Sequence, residues 1–497
     1  MKKTLIVLMA LAAGSTMAAE AEDVSAYLQY TYQDSEAAGK KDVTVNLDCS
    51  TGVTSVGVPG VIGATGWQRE GSNSIINPAE YPHVHNSTVN VINGQSGNLI
   101  GSAATNIGSV SGDATLNFYS GKATYLVGGN IHYFNFDFVP TKSTGDVTVN
   151  LVDGEVSRIH GGSYFAGAQD DLRQYITANG GHSAFALGGD VYVNVSGGKV
   201  TSRIHGAGSQ EASVDGTVHI NISGTADVQS IWAGARNNLN IANDLPYVGA
   251  TDVRISGGTV NGSVYGGGYR DNGNTLIKGD TNITLSGGTV TGNVYAGGQD
   301  DIINGNTNVT VLGAGTQVAG TVSGGGDNST IAGDRNLKIG TNDIAATCSF
   351  SIKDFDNLII AAGSEATLEF ADTDSQMTLD NLALLVDSDN ESATLTLNNI
   401  SFDSFTLMIE LTDEQISSAG TPLSFTNLSL AGVDLTGIET DVVFVDSQGK
   451  KVSTIAENVT YDNNTGTFSV TASIPEPTTA TLSLLALAGL AARRRRK

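Results

Sequence analysis

Residues 190 to 206 read DVYVNVSGGKVTSRIHG. Apolar and polar side chains alternate through the first part, so a strand here turns Val193 and Val195 to a core and Asn194 outward. Gly197-Gly198 follows as a corner, and a second short strand ends at Ile204-His205-Gly206. Strand, glycine corner, strand, glycine corner, variable loop describes one coil of a β-solenoid.

The first strand recurs nine times: VTVNL (43 to 47), TVNV (88 to 91), TLNF (115 to 118), VTVNL (147 to 151), YVNV (192 to 195), HINI (219 to 222), DVRI (252 to 255), NITL (282 to 285) and NVTV (308 to 311). Their last residues are 44, 27, 33, 44, 27, 33, 30 and 26 apart, and the repeated triplet implies a duplicated unit of 104 residues. Unequal spacing on a constant strand means loops of different length on one frame. A β-propeller needs four strands in about 40 residues, more than this spacing holds. The fold expected is all-β, a right-handed parallel β-helix over residues 22 to 335. Such coils resemble the passenger domains of autotransporters, although no translocator barrel follows. From 336 to 472 the repeat fades while strand patterns persist, as in ATLEFA (366 to 371) and FTLMIEL (405 to 411). This region is expected to continue or cap the solenoid, because an open last coil leaves strand edges unpaired.

The residue after each second-strand anchor is His160, His205, Trp232, Tyr265 or Tyr295. Alternation turns Ile159, Ile204, Ile231, Val264 and Val294 inward, so the five rings should form one outward column. Stacked rings can stabilise the solenoid or pack beneath long loops. They can also form a strip that contacts sugar rings or a protein partner. Asn46, Asn90, Asn117, Asn150, Asn194 and Asn221 make a second outward column, read as an amide ladder.

Acids sit in matching places after the second strands, Asp170-Asp171 and Asp300-Asp301. Turn chemistry beside glycine accounts for them without a ligand. The other readings are calcium held by these four aspartates and a paired-carboxylate glycosidase or lyase centre. Calcium is the one cofactor considered; otherwise none is expected. Cys49 and Cys348, the only cysteines, are 299 residues apart and leave a disulfide undecided. No G-x-S-x-G elbow, P-loop or H-E-x-x-H appears, so catalysis has no motif behind it.

Of 497 residues only 15% are charged and 62 are glycine, which disfavours a chain of long surface helices. Lys and Arg number 25 against 50 Asp and Glu, a net charge of −25. Seven of those basic residues lie at the two ends, and without them the balance is 18 against 50, or −32. Such a body repels nucleic acid and anionic lipid.

The ends give an address. Lys2-Lys3, an apolar run from Leu5 to Ala13 and small residues to Ala21 read as a signal peptide over residues 1 to 21. Residues 473 to 497 hold Pro475-Glu476-Pro477, the apolar stretch TTATLSLLALAGLAA (478 to 492) and Arg493-Arg494-Arg495-Arg496-Lys497. Fifteen helical residues span about 22 Å, short for a bilayer core of about 30 Å, so this short transmembrane helix makes a marginal anchor. The terminal basic residues hold that end in the cytoplasm. This order resembles the PEP-CTERM sorting signal of Gram-negative bacteria with an exosortase system. The resemblance implies an exosortase-type partner, transient residence in the inner membrane, cleavage near Pro475-Glu476-Pro477, and release to the cell surface or extracellular matrix. The function expected is that of a non-enzymatic structural or adhesin-like surface protein, with polysaccharide or surface proteins as partners. The alternative is a polysaccharide lyase or glycosidase on a β-helix, an analogy of fold alone.

Overall fold

Alternating β-branched and polar residues give strands with one dry face, and such strands must stack to bury it. A computed structural model of the chain describes residues 3–6, 28–34, 41–48 and 61–62. From 83 to 474 it describes all but 95–98, 102–108, 134–143, 167–168, 210, 242, 272, 373, 388–391, 419–421 and 463–466. The structure is nearly all β, 60% strand and 4% helix, with a long, mainly parallel sheet consistent with a β-solenoid.

Two compact units are present, one of Met1–Asn336 with Phe350–Phe355, the other of Leu337–Ser349 with Asp356–Lys497. In the first, all nine copies of the recurring strand stack in one parallel ladder. Equivalent residues are partners: Val149 faces Leu116 on one side and Val193 on the other. Val147–Leu151 and Val191–Val195 both bury every second residue. The second strands form another parallel ladder that includes Lys122–Val127, Glu155–His160, Lys199–His205, Ile231–Trp232, Val264–Tyr265 and Val294–Tyr295. A third set contains Ile131–Tyr133, Ser163–Ala166 and Gly208–Ser209, with Arg236–Asn237 paired to Tyr269–Arg270.

Three buried threonines tie these ladders together. The hydroxyls of Thr251, Thr281 and Thr307 donate to the carbonyls of Gly266, Ala296 and Gly324 at 2.6, 2.7 and 2.6 Å. Each satisfies a polar group that burial would otherwise leave costly. At the corner, Gly198 has φ of +70°, and a Cβ there would lie 2.6 Å from the Gly154 carbonyl oxygen. Both facts demand glycine.

The amide ladder is present on the outer face. Each Nδ2 donates to the Oδ1 of the preceding asparagine through Asn46, Asn90, Asn117, Asn150, Asn194 and Asn221, at 2.8 to 2.9 Å. It ends at Arg254, the partner of Asn221, and a second amide row, Asn282, Asn308 and Asn336, begins in the neighbouring column that holds Asp252.

The second unit has its own parallel ladders, Asn357–Ala361 with Met377–Val386, Ile400–Glu410 and Glu439–Val445, and Glu365–Phe370 with Ser392–Asn398 and Pro422–Ala431. It then changes sense: Thr467–Ser473 runs antiparallel to both Pro422–Ala431 and Ile455–Asp462. Phe468 stacks on Phe405 at 5.4 Å.

Among the described residues no helix is long and apolar enough to cross a membrane. The stretch 478 to 492 lies outside them, as do Pro475, Glu476, Pro477, Arg493, Arg494, Arg495, Arg496, Lys497 and, apart from residues 3 to 6, the leader.

Candidate functional site

The second-strand ladder places equivalent residues in register, and it brings the five rings into one column. Centroid separations are 5.6 Å from His160 to His205, 5.8 Å to Trp232, 5.2 Å to Tyr265 and 4.8 Å to Tyr295, all stacked. The anchors Ile159, Ile204, Ile231, Val264 and Val294 are all buried, as alternation requires.

Exposure departs from the expectation of an outward column at three positions. His160 and His205 are fully buried and Tyr265 retains 9% exposure; Trp232 and Tyr295 are half-buried. The reason is a second layer of rings. Tyr125 and Tyr164 lie 5.3 and 5.2 Å from His160, while Tyr269 lies 5.7 Å from His205 and 5.0 Å from Trp232. Tyr265 is enclosed between Trp232 and Tyr295.

Burial sets the chemistry of the imidazoles. Removal from water, reinforced by Arg158, Arg236 and Arg203, lowers His160 from its ordinary value to about 3. His205 is likewise held well below its ordinary value, first by burial and then by His160 and the same guanidiniums. Both rings are therefore neutral, which is the form burial favours.

Three arginines thus share one neighbourhood. Arg158 lies over Tyr125 at 5.5 Å, and Arg203 lies over both Trp232 and Tyr269 at 5.4 and 5.3 Å. Arg236 sits over Tyr269 at 5.8 Å and is clamped by Asp271 through Nε and Nη2. Arg158 and Arg203 are backbone partners on adjacent strands, and among the described residues neither has a carboxylate partner.

These arginines and outer tyrosines were not singled out by sequence, although a signal exists. Ser-Arg-Ile-His-Gly occurs at 157 to 161 and again at 202 to 206. Spacing gave no such signal for a second cluster, in which His182 Nε2 lies 2.8 Å from Glu211 and Nδ1 lies 3.0 Å from Asp244. Glu211 also accepts the backbone N–H of Leu239 at 2.8 Å. Burial alone would lower the His182 pKa, but the two carboxylates outweigh it and raise it. The His182 and Glu211 side chains have no exposure, whereas Asp244 is partly exposed.

The four aspartates considered for calcium are not in matching places. Asp170 and Asp171 lie on a helix, Gln169–Ala178, whose Ile176 packs with Phe165, Phe185 and Leu239. Asp300, at φ of +51°, is paired with Arg270 at 2.8 Å. Asp301 is buried, accepts the Gly268 N–H at 3.1 Å and has its pKa raised by burial. Among the described residues no group of three or more His, Cys, Asp or Glu is arranged to hold a metal ion. Cys348 is a free, buried thiol pushed up to about 12 by burial, and Cys49 lies outside the described residues.

Comparison with protein-family models, curated proteins and solved structures found no match to this chain.

Proposed function

We propose that the chain is an exported, non-enzymatic surface or matrix protein, a right-handed parallel β-solenoid of structural or adhesin-like role. The observation that carries this reading is how its acids are used. Asp42, Asp113, Asp146 and Asp190 each accept, through Oδ1, the backbone N–H that opens the next repeat, at 2.7 to 3.0 Å. Asn86 takes the same place between Asp42 and Asp113. Acids spread along corners as hydrogen-bond acceptors suit a rod; a hydrolase or lyase needs them to converge on an open groove. Right-handedness follows from the strong preference of parallel crossover connections. Antiparallel closure of the second unit's strands is a known way to blunt a sheet edge.

The proposal includes sorting through Pro475-Glu476-Pro477 by an exosortase-type enzyme, with Arg493 to Lys497 left in the cytoplasm and the body passed from the inner membrane to the surface or matrix of a Gram-negative cell. Two measurements test it. Incubation with acidic and neutral polysaccharides should release neither reducing ends nor unsaturated products; product formation abolished by Asp170→Asn or Asp300→Asn would overturn the non-enzymatic reading. Intact mass of surface material should lack the segment after Pro475-Glu476-Pro477, and retention of Arg493 to Lys497 would replace sorting with tail anchoring.

A further inference from the structure

The arginine and aromatic cluster has a composition at odds with the chain around it. In a protein of net charge −25, three guanidiniums gather around His160 and His205, and among the described residues only Arg236 has a carboxylate to answer it. Arg158 and Arg203 are half-buried, and Arg158 Nε is shielded from water with no hydrogen-bond partner among the described residues. The same holds for both ring nitrogens of His160 and of His205 and for Trp232 Nε1. Buried polar atoms without partners are rare in folded proteins, and six of them gather here beside two half-buried guanidiniums. Around them Tyr125, Tyr164, Trp232 and Tyr269 are half-buried.

We propose that Arg158 and Arg203, framed by Tyr125, Tyr164, Trp232 and Tyr269, bind an acidic polysaccharide. Guanidinium is a planar fork that matches a carboxylate in two parallel hydrogen bonds. Flat amphipathic rings give a sugar an apolar face at little entropic cost. Arg158 and Arg203 stand in register on neighbouring strands, so the site offers two forks in a row to a chain bearing carboxylates at intervals. The rest of the protein selects against denser polyanions: an acidic body repels nucleic acid, whose every residue carries a phosphate. A uronate chain dilutes its charge with rings that the tyrosines can hold.

This deepens the reading of the chain as a non-enzymatic surface protein and rests on it, but the test is independent of sorting. In the full chain carrying Trp67→Phe, Trp232 is the sole tryptophan and reports on the site. Hexagalacturonate should shift its emission saturably, less tightly as salt rises, while neutral maltohexaose and hexathymidylate should not. Arg158→Gln with Arg203→Gln should weaken binding at least tenfold. Should that variant misfold by circular dichroism, Arg158→Lys with Arg203→Lys keeps charge and stem, loses the forks, and should weaken binding at least threefold. Absence of hexagalacturonate binding, equal binding of maltohexaose, tighter binding of hexathymidylate, or full binding by the folded variants would each overturn the proposal. Failure here leaves the processing reading standing, since that is decided by mass.

Discussion

The imidazole of His160 lies flat against that of His205, ring centres 5.6 Å apart and planes 4° from parallel, and neither ring makes a hydrogen bond among the described residues. Both rings are neutral in the fold and readily protonated once it is lost. A histidine pKa lowered on folding stabilises the native state fully above the unfolded value of about 6.5 and progressively less as pH falls toward the folded value, about 3 for His160. Between pH 7.5 and 5 this removes about 2 kcal/mol for His160 alone. The melting temperature should fall over that interval, and less steeply in His160→Leu. Equal slopes for the two proteins would show that burial does not set the protonation of this ring.

His182 has the opposite sign. Its pKa is raised by Glu211 and Asp244, so its contribution is complete below about 6.5 and is lost as pH rises through the folded value. His182→Gln should flatten the alkaline side of the stability profile. It also leaves the Glu211 carboxylate buried without its cation, a loss of about 3 to 5 kcal/mol. Urea unfolding at pH 6 and pH 9 measures both effects, and a variant equally weakened at the two values would remove the charge from the account.

The inner and outer faces of one strand should respond very differently. Leu151→Ala opens a cavity in a fully buried row, at a cost of about 2 to 5 kcal/mol. Asn150→Ala removes one rung of the half-buried amide ladder, with bonds of 2.8 Å to Asn117 and from Asn194, and should cost about 1 kcal/mol. Reversal of that order in chemical denaturation would refute the register of Val147–Leu151.

Two glycines with similar backbone angles separate strain from collision. Gly198 and Gly313 have φ of +70° and +66°, but a Cβ on Gly313 meets nothing within 4 Å. Gly313→Ala should cost about 1 kcal/mol, the left-handed penalty alone. Gly198→Ala adds the encounter with the Gly154 carbonyl and should cost more; matched melting temperatures would contradict the corner geometry.

The ladders were legible in sequence because a period of two is local: Val193, Asn194 and Val195 announce their faces without any distant partner. The ring column followed from the same local logic. Its burial did not, because Tyr125, Tyr164 and Tyr269 come from strands that meet the column only after stacking. The resemblance between Asp170-Asp171 and Asp300-Asp301 misled for a related reason. Ile176 draws the first pair into a helix by packing on Phe165 and Phe185, whereas the second pair leads into the strand Asp301–Ile303. His182, Glu211 and Asp244 are 29 and 33 residues apart in sequence, with no pattern to link them.

Because every rung joins equivalent residues, Val147 meets Ala114 on one side and Val191 on the other in the same way. Removal of residues 147 to 190 would set Val191 against Ala114 with the alternation of both strands unbroken. The alternation therefore tolerates the gain or loss of a whole repeat, but each repeat takes its own outer side chains with it: this one carries Arg158, His160 and Tyr164 of the aromatic cluster.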